Sequence, residues 1–195
     1  MHSTLARLIL LGPPLLALAV QVPDDPARRA MIAALAASGP HPALGTEGEL
    51  FDSFVGTRDI DYATLTPTGT WQRFKGELRF GWILDGYALQ DVWTSYGAAG
   101  GRTSGTTIRF YDPARKSWRV TFIAPTFQAV VQLEGRAEGG NIVLRGMDPD
   151  GSLLRWSFRD IHADSFTWWG ERSRDGGATW RLEEENHMRR RAEVR

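Results

Sequence analysis

The chain has 195 residues, 42% of them hydrophobic, which suits one globular domain with or without a leader. Lys+Arg and Asp+Glu stand at 23 each, so no charge excess points to nucleic acid or to an acidic surface partner. With no cysteine, disulfides, thiolate catalysis and cysteine-ligated metals are excluded.

Taken in order, residues 1–19 have the form of a secretory signal. Arg7 supplies a positive n-region, residues 8–18 are apolar, and Ala17-Leu18-Ala19 has the small-x-small form of a cleavage site. The apolar run is too short for a stable membrane span, and Pro13 and Pro14 interrupt it. Two readings stand: a true signal makes the mature protein periplasmic or secreted, and a start further downstream makes it cytoplasmic. Residues 20–50 read as a helix and linker. Asp25 suits an N-cap, Pro26 the first helical position, and Gly39-Pro40 a stop, so the helix is expected over 25–39. Its stripe of Met31, Ile32 and Leu35 is too narrow for a membrane surface and predicts packing across an end of the domain. Residues 39–48 read as a linker.

From Phe51 the pattern turns to short strands with turn signals between them. Strands are expected over 57–64, 70–84, 88–96, 106–111, 117–124, 127–134, 141–145, 152–159, 166–173 and 179–188. Eight Trp, nine Phe and 21 Gly fit a β-rich chain with many turns. The breakers, among them Asp85-Gly86, the glycine-rich 97–105, Asp112-Pro113 and Asp175-Gly176-Gly177, each hold Pro, Gly or Asp with a turn mechanism. No helix-length segment separates any two strands, so the sheet must be antiparallel. About ten such strands leave two exposed edges unless they close, which predicts an all-β, closed up-and-down antiparallel barrel over 51–191, with 192–195 as a tail. No repeat of 20–50 residues argues for a propeller.

Alternation drafts an inner face: Phe74, Leu78, Phe80, Trp82, Ile108, Phe110, Trp118, Val120, Phe122, Phe127, Val131, Leu133, Leu154, Trp156, Phe158, Phe166 and Trp168. Such stripes are either plain core or the walls of a ligand cavity. Polar residues on the same face bear on that choice. In the first strand Arg58 shares a face with Ile60 and Tyr62; in the last, Glu184 and Asn186 share the parity of Trp180 and Leu182. If first and last strands are neighbours, Arg58 can reach Glu184, and a wet cavity would relieve the cost of desolvating that pair. The expectation is a cavity with a polar floor of Arg58, Glu184 and Asn186 and walls that include Tyr62, Trp82, Phe110, Trp156 and Trp168. A β-bulge would instead turn the polar residues to solvent. Asp91, on a strand with no clean face, is a further candidate for the cavity.

The run Phe51-Asp-Ser-Phe-Val-Gly-Thr-Arg-Asp-Ile-Asp-Tyr62, with Gly76-Glu77, Ile83-Leu84-Asp85-Gly86, Phe110-Tyr-Asp-Pro113 and Trp118, resembles an uncharacterised bacterial group of lipocalin-like (calycin) barrel proteins. In that group an F-x-x-x-G-x-W strand opens an up-and-down barrel. The Trp of that motif falls at Arg58 here, which puts the usual aromatic end-cap in doubt and makes an Arg58–acid pairing more plausible. Calycins bind lipids, haem or other small hydrophobic molecules, and the resemblance implies that class of role. Separately, Ser173-x-Asp175-x-Gly177-x-x-Trp180 resembles the Asp-box of sialidases, a structural hairpin turn remote from catalysis. As a single copy it implies a turn with Asp175 as acceptor and Trp180 packed beneath.

No G-x-S-x-G, H-E-x-x-H, Walker loop or G-x-G-x-x-G occurs. Of the four histidines only His187 lies on an expected strand, with outward parity, so no metal is expected and His187 is the sole, unfavoured candidate for a haem ligand. Three readings follow: a binding protein for a small hydrophobic or amphipathic molecule, an isomerase or hydrolase using Glu184 or Asp91 as acid/base with Arg58 as electrophile, and a filled barrel acting as an interaction domain. Nothing in the sequence sets the oligomeric state.

Overall fold

The computed structural model describes residues 25–97 and 101–192. The expected signal over 1–19 lies outside them, and among the described residues no helix is long and apolar enough to cross a membrane. Ten strands form one sheet: β1 (Gly56–Leu65), β2 (Trp71–Ile83), β3 (Ala88–Tyr96), β4 (Arg102–Asp112), β5 (Ser117–Ala124), β6 (Ala129–Glu138), β7 (Asn141–Met147), β8 (Leu153–Arg159), β9 (Ser165–Ser173) and β10 (Arg181–Arg190). Each pairs antiparallel with its sequence neighbour, and β1 also pairs with β10, from Arg58 opposite Arg190 to Thr64 opposite Glu184. The sheet is therefore a closed ten-stranded barrel with no free edge, as the strand count and the absence of crossovers require.

Local chemistry moves several boundaries. Helix α1 (Pro26–Leu35) starts as expected, with the Asp25 carboxylate accepting from Ala27 N at 2.9 Å, but ends early. The chain turns extended at Ala36, which bridges Ile83, and Ala37 N donates to Trp82 O at 2.9 Å. Met31 and Ile32 are 70% and 58% exposed, so the apolar stripe of α1 is not packed into the domain. The expected linker folds as a 3-10 turn at Pro42–Leu44 and a one-turn helix, α2 (Thr46–Glu49), with His41 stacked on Tyr87 at 4.0 Å. β4 begins at Arg102, inside the stretch expected as a glycine loop; Gly105 belongs to the strand because a Cβ there would lie 2.5 Å from the indole nitrogen of Trp93. Pro125–Phe127 is a 3-10 turn ended by left-handed Gln128, which delays β6 to Ala129. The β9–β10 turn is held as a hairpin lock. Asp175 accepts from the Ser173 hydroxyl at 2.7 Å and from Thr179 N at 2.9 Å, and Gly176 and Gly177 take positive φ. These donors, led by the Thr179 hydroxyl, hold the Asp175 carboxyl down at about 2.

One end of the barrel is plugged. The segment before β1 turns inward through a 3-10 turn, Asp52–Phe54, and puts Phe51 and Phe54 at 0% exposure. Phe54 meets Phe80, Phe158 and Phe166 at centroid distances of 5.6, 5.2 and 4.6 Å, and Phe51 meets Trp118 edge-on at 5.0 Å. These rings interact beyond their burial area. Trp82 belongs to this end, packed on Trp118 with its indole N–H toward Asp52 at 3.3 Å.

Two stretches break the expected alternation. In β4 the inner face is Thr107 and Arg109, set by their partners Asp91 and Leu89 on β3, so Ile108 and Phe110 point outward and Phe110 is 48% exposed. In β10 a bulge between Leu182 and Glu184 shifts the register by one residue. Glu184, Asn186 and Met188 face inward, while Trp180 and Leu182 fall outside, where Trp180 stacks on Arg155 at 4.2 Å. Phe54→Ala should cost roughly 3–5 kcal/mol in denaturant unfolding, since the plug cannot collapse around the void. Phe110→Thr, on the outer face, should stay within about 0.5 kcal/mol of the parent; a cost of core size there would refute this register.

Candidate functional site

Away from the plug the barrel holds a cavity of about 300 Å³. Aromatic rings form a connected part of its wall. Phe127 and Phe122 stack on Trp93 at 6.3 and 6.2 Å, Trp156 meets Phe122 edge-on at 5.4 Å, and Trp168 meets Trp156 at 5.5 Å. These rings come from β3, β5, β8, β9 and the turn before β6, so barrel closure brings together residues scattered over the chain. Trp168 lies flat because Gly170, two residues on, has no side chain; a Cβ there would sit 2.8 Å from the ring.

A polar stretch of wall comes from β1 and β10. The Tyr62 hydroxyl donates to Glu184 Oε2 at 3.0 Å. Asn186, opposite Tyr62 on β1 and Trp168 on β9, is 6% exposed, and its side-chain oxygen has no hydrogen-bond donor. The Glu184 carboxyl faces the cavity rather than bulk water. Burial pushes it above the ordinary carboxylate range, the Tyr62 hydrogen bond opposes that, nearby Glu183 adds to it, and the Arg172 charge lowers it. Burial and the Glu184 charge together push the Tyr62 phenol up.

Toward the plug a second polar element lines the floor. Arg109 donates from Nη2 to Asp91 Oδ2 at 2.5 Å, with the two side chains 2% and 5% exposed. The rings of Phe51 and Phe80 each lie 5.3 Å from the guanidinium. Burial raises the Asp91 carboxyl, and Arg109 and Thr107 hold it back. At the mouth Arg172 donates to Asp148 at 2.6 Å and to Glu183 at 2.9 Å, bridging the β7–β8 turn to the β10 bulge.

Of the residues expected to form the site, Tyr62, Trp156, Trp168, Glu184 and Asn186 line the cavity, as does Asp91. Arg58, Trp82 and Phe110 do not. Arg58 is opposite Arg190, six residues along β1 from the partner of Glu184, or about 20 Å at strand rise. The Arg58–Glu184 pair is therefore absent. Arg58 is instead sealed in the plug at 0% exposure, 5.3 Å from the Phe166 ring, and donates to the Ser53 carbonyl. Burial and Arg190 lower its pKa to about 10. Arg190 donates to the carbonyls of Val55 and Ser53 at 2.8 and 2.7 Å, so two arginines tie the plug to the barrel wall. His187 lies on the outer face beside Thr167 at 3.3 Å, and among the described residues no three potential metal ligands converge. Sequence reasoning missed Arg109, Trp93 and Arg172. The available signal for Arg109 was Asp91: a carboxylate on a mixed-face strand calls for a cation on the next.

Two solved structures share this architecture. The S-type phycobiliprotein lyase CPES from Guillardia theta superposes with a TM-score of 0.52 at 10% identity, over 75% of this chain and 93% of its own. Rv2717c from M. tuberculosis superposes with a TM-score of 0.55 at 16% identity, over 78% of this chain and 99% of its own. At these identities the likeness is one of fold, a closed lipocalin-like barrel. No family model matches the chain, and no curated protein matches it.

Arg109→Met should destabilise by roughly 3–5 kcal/mol, because it strands a buried carboxylate, and adding Asp91→Leu should restore most of that loss; an additive double mutant would refute the coupling. Glu184 binds its proton more tightly folded than unfolded, so it lowers stability as pH rises above its ordinary value of 4.5. Glu184→Gln keeps an acceptor for Tyr62, and in urea titrations its stability relative to the parent should climb from that pH upward; a flat difference would contradict the shift.

Proposed function

We propose that the protein binds one small hydrophobic or amphipathic molecule inside the barrel. The single observation that carries this reading is the cavity of about 300 Å³ with five linked aromatic rings on one side and Tyr62, Glu184 and Asn186 on the other. That volume is at the lower end of small-molecule sites, and the combination of apolar wall with few polar groups is their usual make-up. A solid barrel serving only as an interaction domain would have no such space. The resemblance of the opening strand to the calycin group supports the same class of role. One barrel of this architecture carries the name of a phycobiliprotein lyase, which is compatible with a small-molecule site here.

A second reading has one observation in its favour. Glu184 in the cavity holds its proton above the ordinary range and is hydrogen-bonded to Tyr62, a combination suited to acid/base chemistry on a bound substrate. Binding is common to both readings; turnover that Glu184→Gln abolishes would add the reaction. Isothermal titration with 1-decanol, read alongside tryptophan emission, should show saturable one-to-one binding. Ala129→Trp, which fills the lining beside Phe127, should weaken it about tenfold without lowering the denaturation midpoint. Absence of saturable binding would overturn the proposal.

A further inference from the structure

We infer that the cavity is made for a protonated amine on an apolar body, its N–H groups directed at Glu184 and its hydrocarbon against the Trp156–Trp168 wall. This rests on the binding reading above and adds the charge of the ligand. The inference comes from which charges inside the barrel already have partners. The cavity is lined by two arginines, Arg109 and Arg172, and five carboxylates. Arg109 is taken by Asp91 at 2.5 Å, its faces are covered by Phe51 and Phe80, and its unbonded Nε and Nη1 are enclosed by protein. Arg172 is shared between Asp148 and Glu183, and Arg155 on the outer face holds Glu171 through two bonds of 2.8 and 2.7 Å.

Glu184 is the remaining carboxylate. Among the described residues its hydrogen-bond partner is a neutral phenol, and it forms no ion pair. A carboxylate-bearing ligand placed beside it would meet like charge, and both arginines of the lining are already held by other carboxylates. An ammonium would supply the missing counter-charge. The facing wall fits the same ligand, since Trp156 and Trp168 offer apolar surface to its hydrocarbon.

The test is a matched series, decylamine, 1-decanol and sodium decanoate, titrated calorimetrically into the full chain near neutral pH. Decylamine should bind at least about tenfold more tightly than decanol, and decanoate at least about tenfold more weakly. In Glu184→Gln the ratio of amine to decanol affinity should fall to near one. Decanoate binding as tightly as decylamine, or an amine preference that survives Glu184→Gln, overturns the charge assignment while decanol binding leaves the barrel as a binding protein. No binding by any of the three overturns both. Should the variant fail to fold, the three ligands on the unmodified chain decide alone.

Discussion

Everything in this molecule depends on the hydrogen-bonded seam between β1 and β10. Seven residue pairs close it, from Arg58 with Arg190 to Thr64 with Glu184. Once closed, a sheet has only an inside and an outside, and each residue is assigned to one by its parity along the strand. The seam also creates the polar wall directly, because Tyr62 and Glu184 lie 122 residues apart in the chain and meet only across it.

The two ends of the barrel do different work. A ten-stranded barrel is too wide to be filled by its own side chains alone, and the chain fills one end of it from outside the sheet. Phe51 and Phe54 enter from the segment before β1, and the arginines at 58 and 190 anchor that segment through its carbonyls. Where the opening-strand motif of the resembling group has a Trp, this chain has a guanidinium flanked by phenylalanine rings. The aromatic end-cap is kept but supplied from other positions. Among the described residues the opposite end has no such segment, and the space there is the cavity.

The carboxylates that line the cavity follow one rule with one exception. Asp91, Glu171, Asp148 and Glu183 each have an arginine partner, in line with the high cost of an uncompensated buried charge. Among the described residues Glu184 forms no ion pair; it has the Tyr62 hydrogen bond and the Arg172 charge at longer range. Sequences that keep a local violation of this kind generally do so at functional positions, which is why the wall of Tyr62, Glu184 and Asn186 carries the functional reading.

The sequence by itself determined the strands, the antiparallel pairing and the closure. Period-two alternation and Pro, Gly and Asp breakers are local signals, and the lack of crossovers leaves a single topology. It also identified Tyr62, Trp156, Trp168, Glu184 and Asn186 as inward residues. The tertiary structure decided what lies opposite what. The bulge after Leu182 sends Trp180 and Leu182 outside while Glu184 and Asn186 stay in, and no residue type announces it. The parity of β4 follows from Asp91 needing Arg109, so that Phe110, more apolar than its neighbour, is the one left in solvent. The stagger of β1 against β10 set Arg58 far from Glu184 and beside Arg190. Alternation is a property of one strand, whereas register and stagger are balances struck between strands, and only the closed barrel contains both partners.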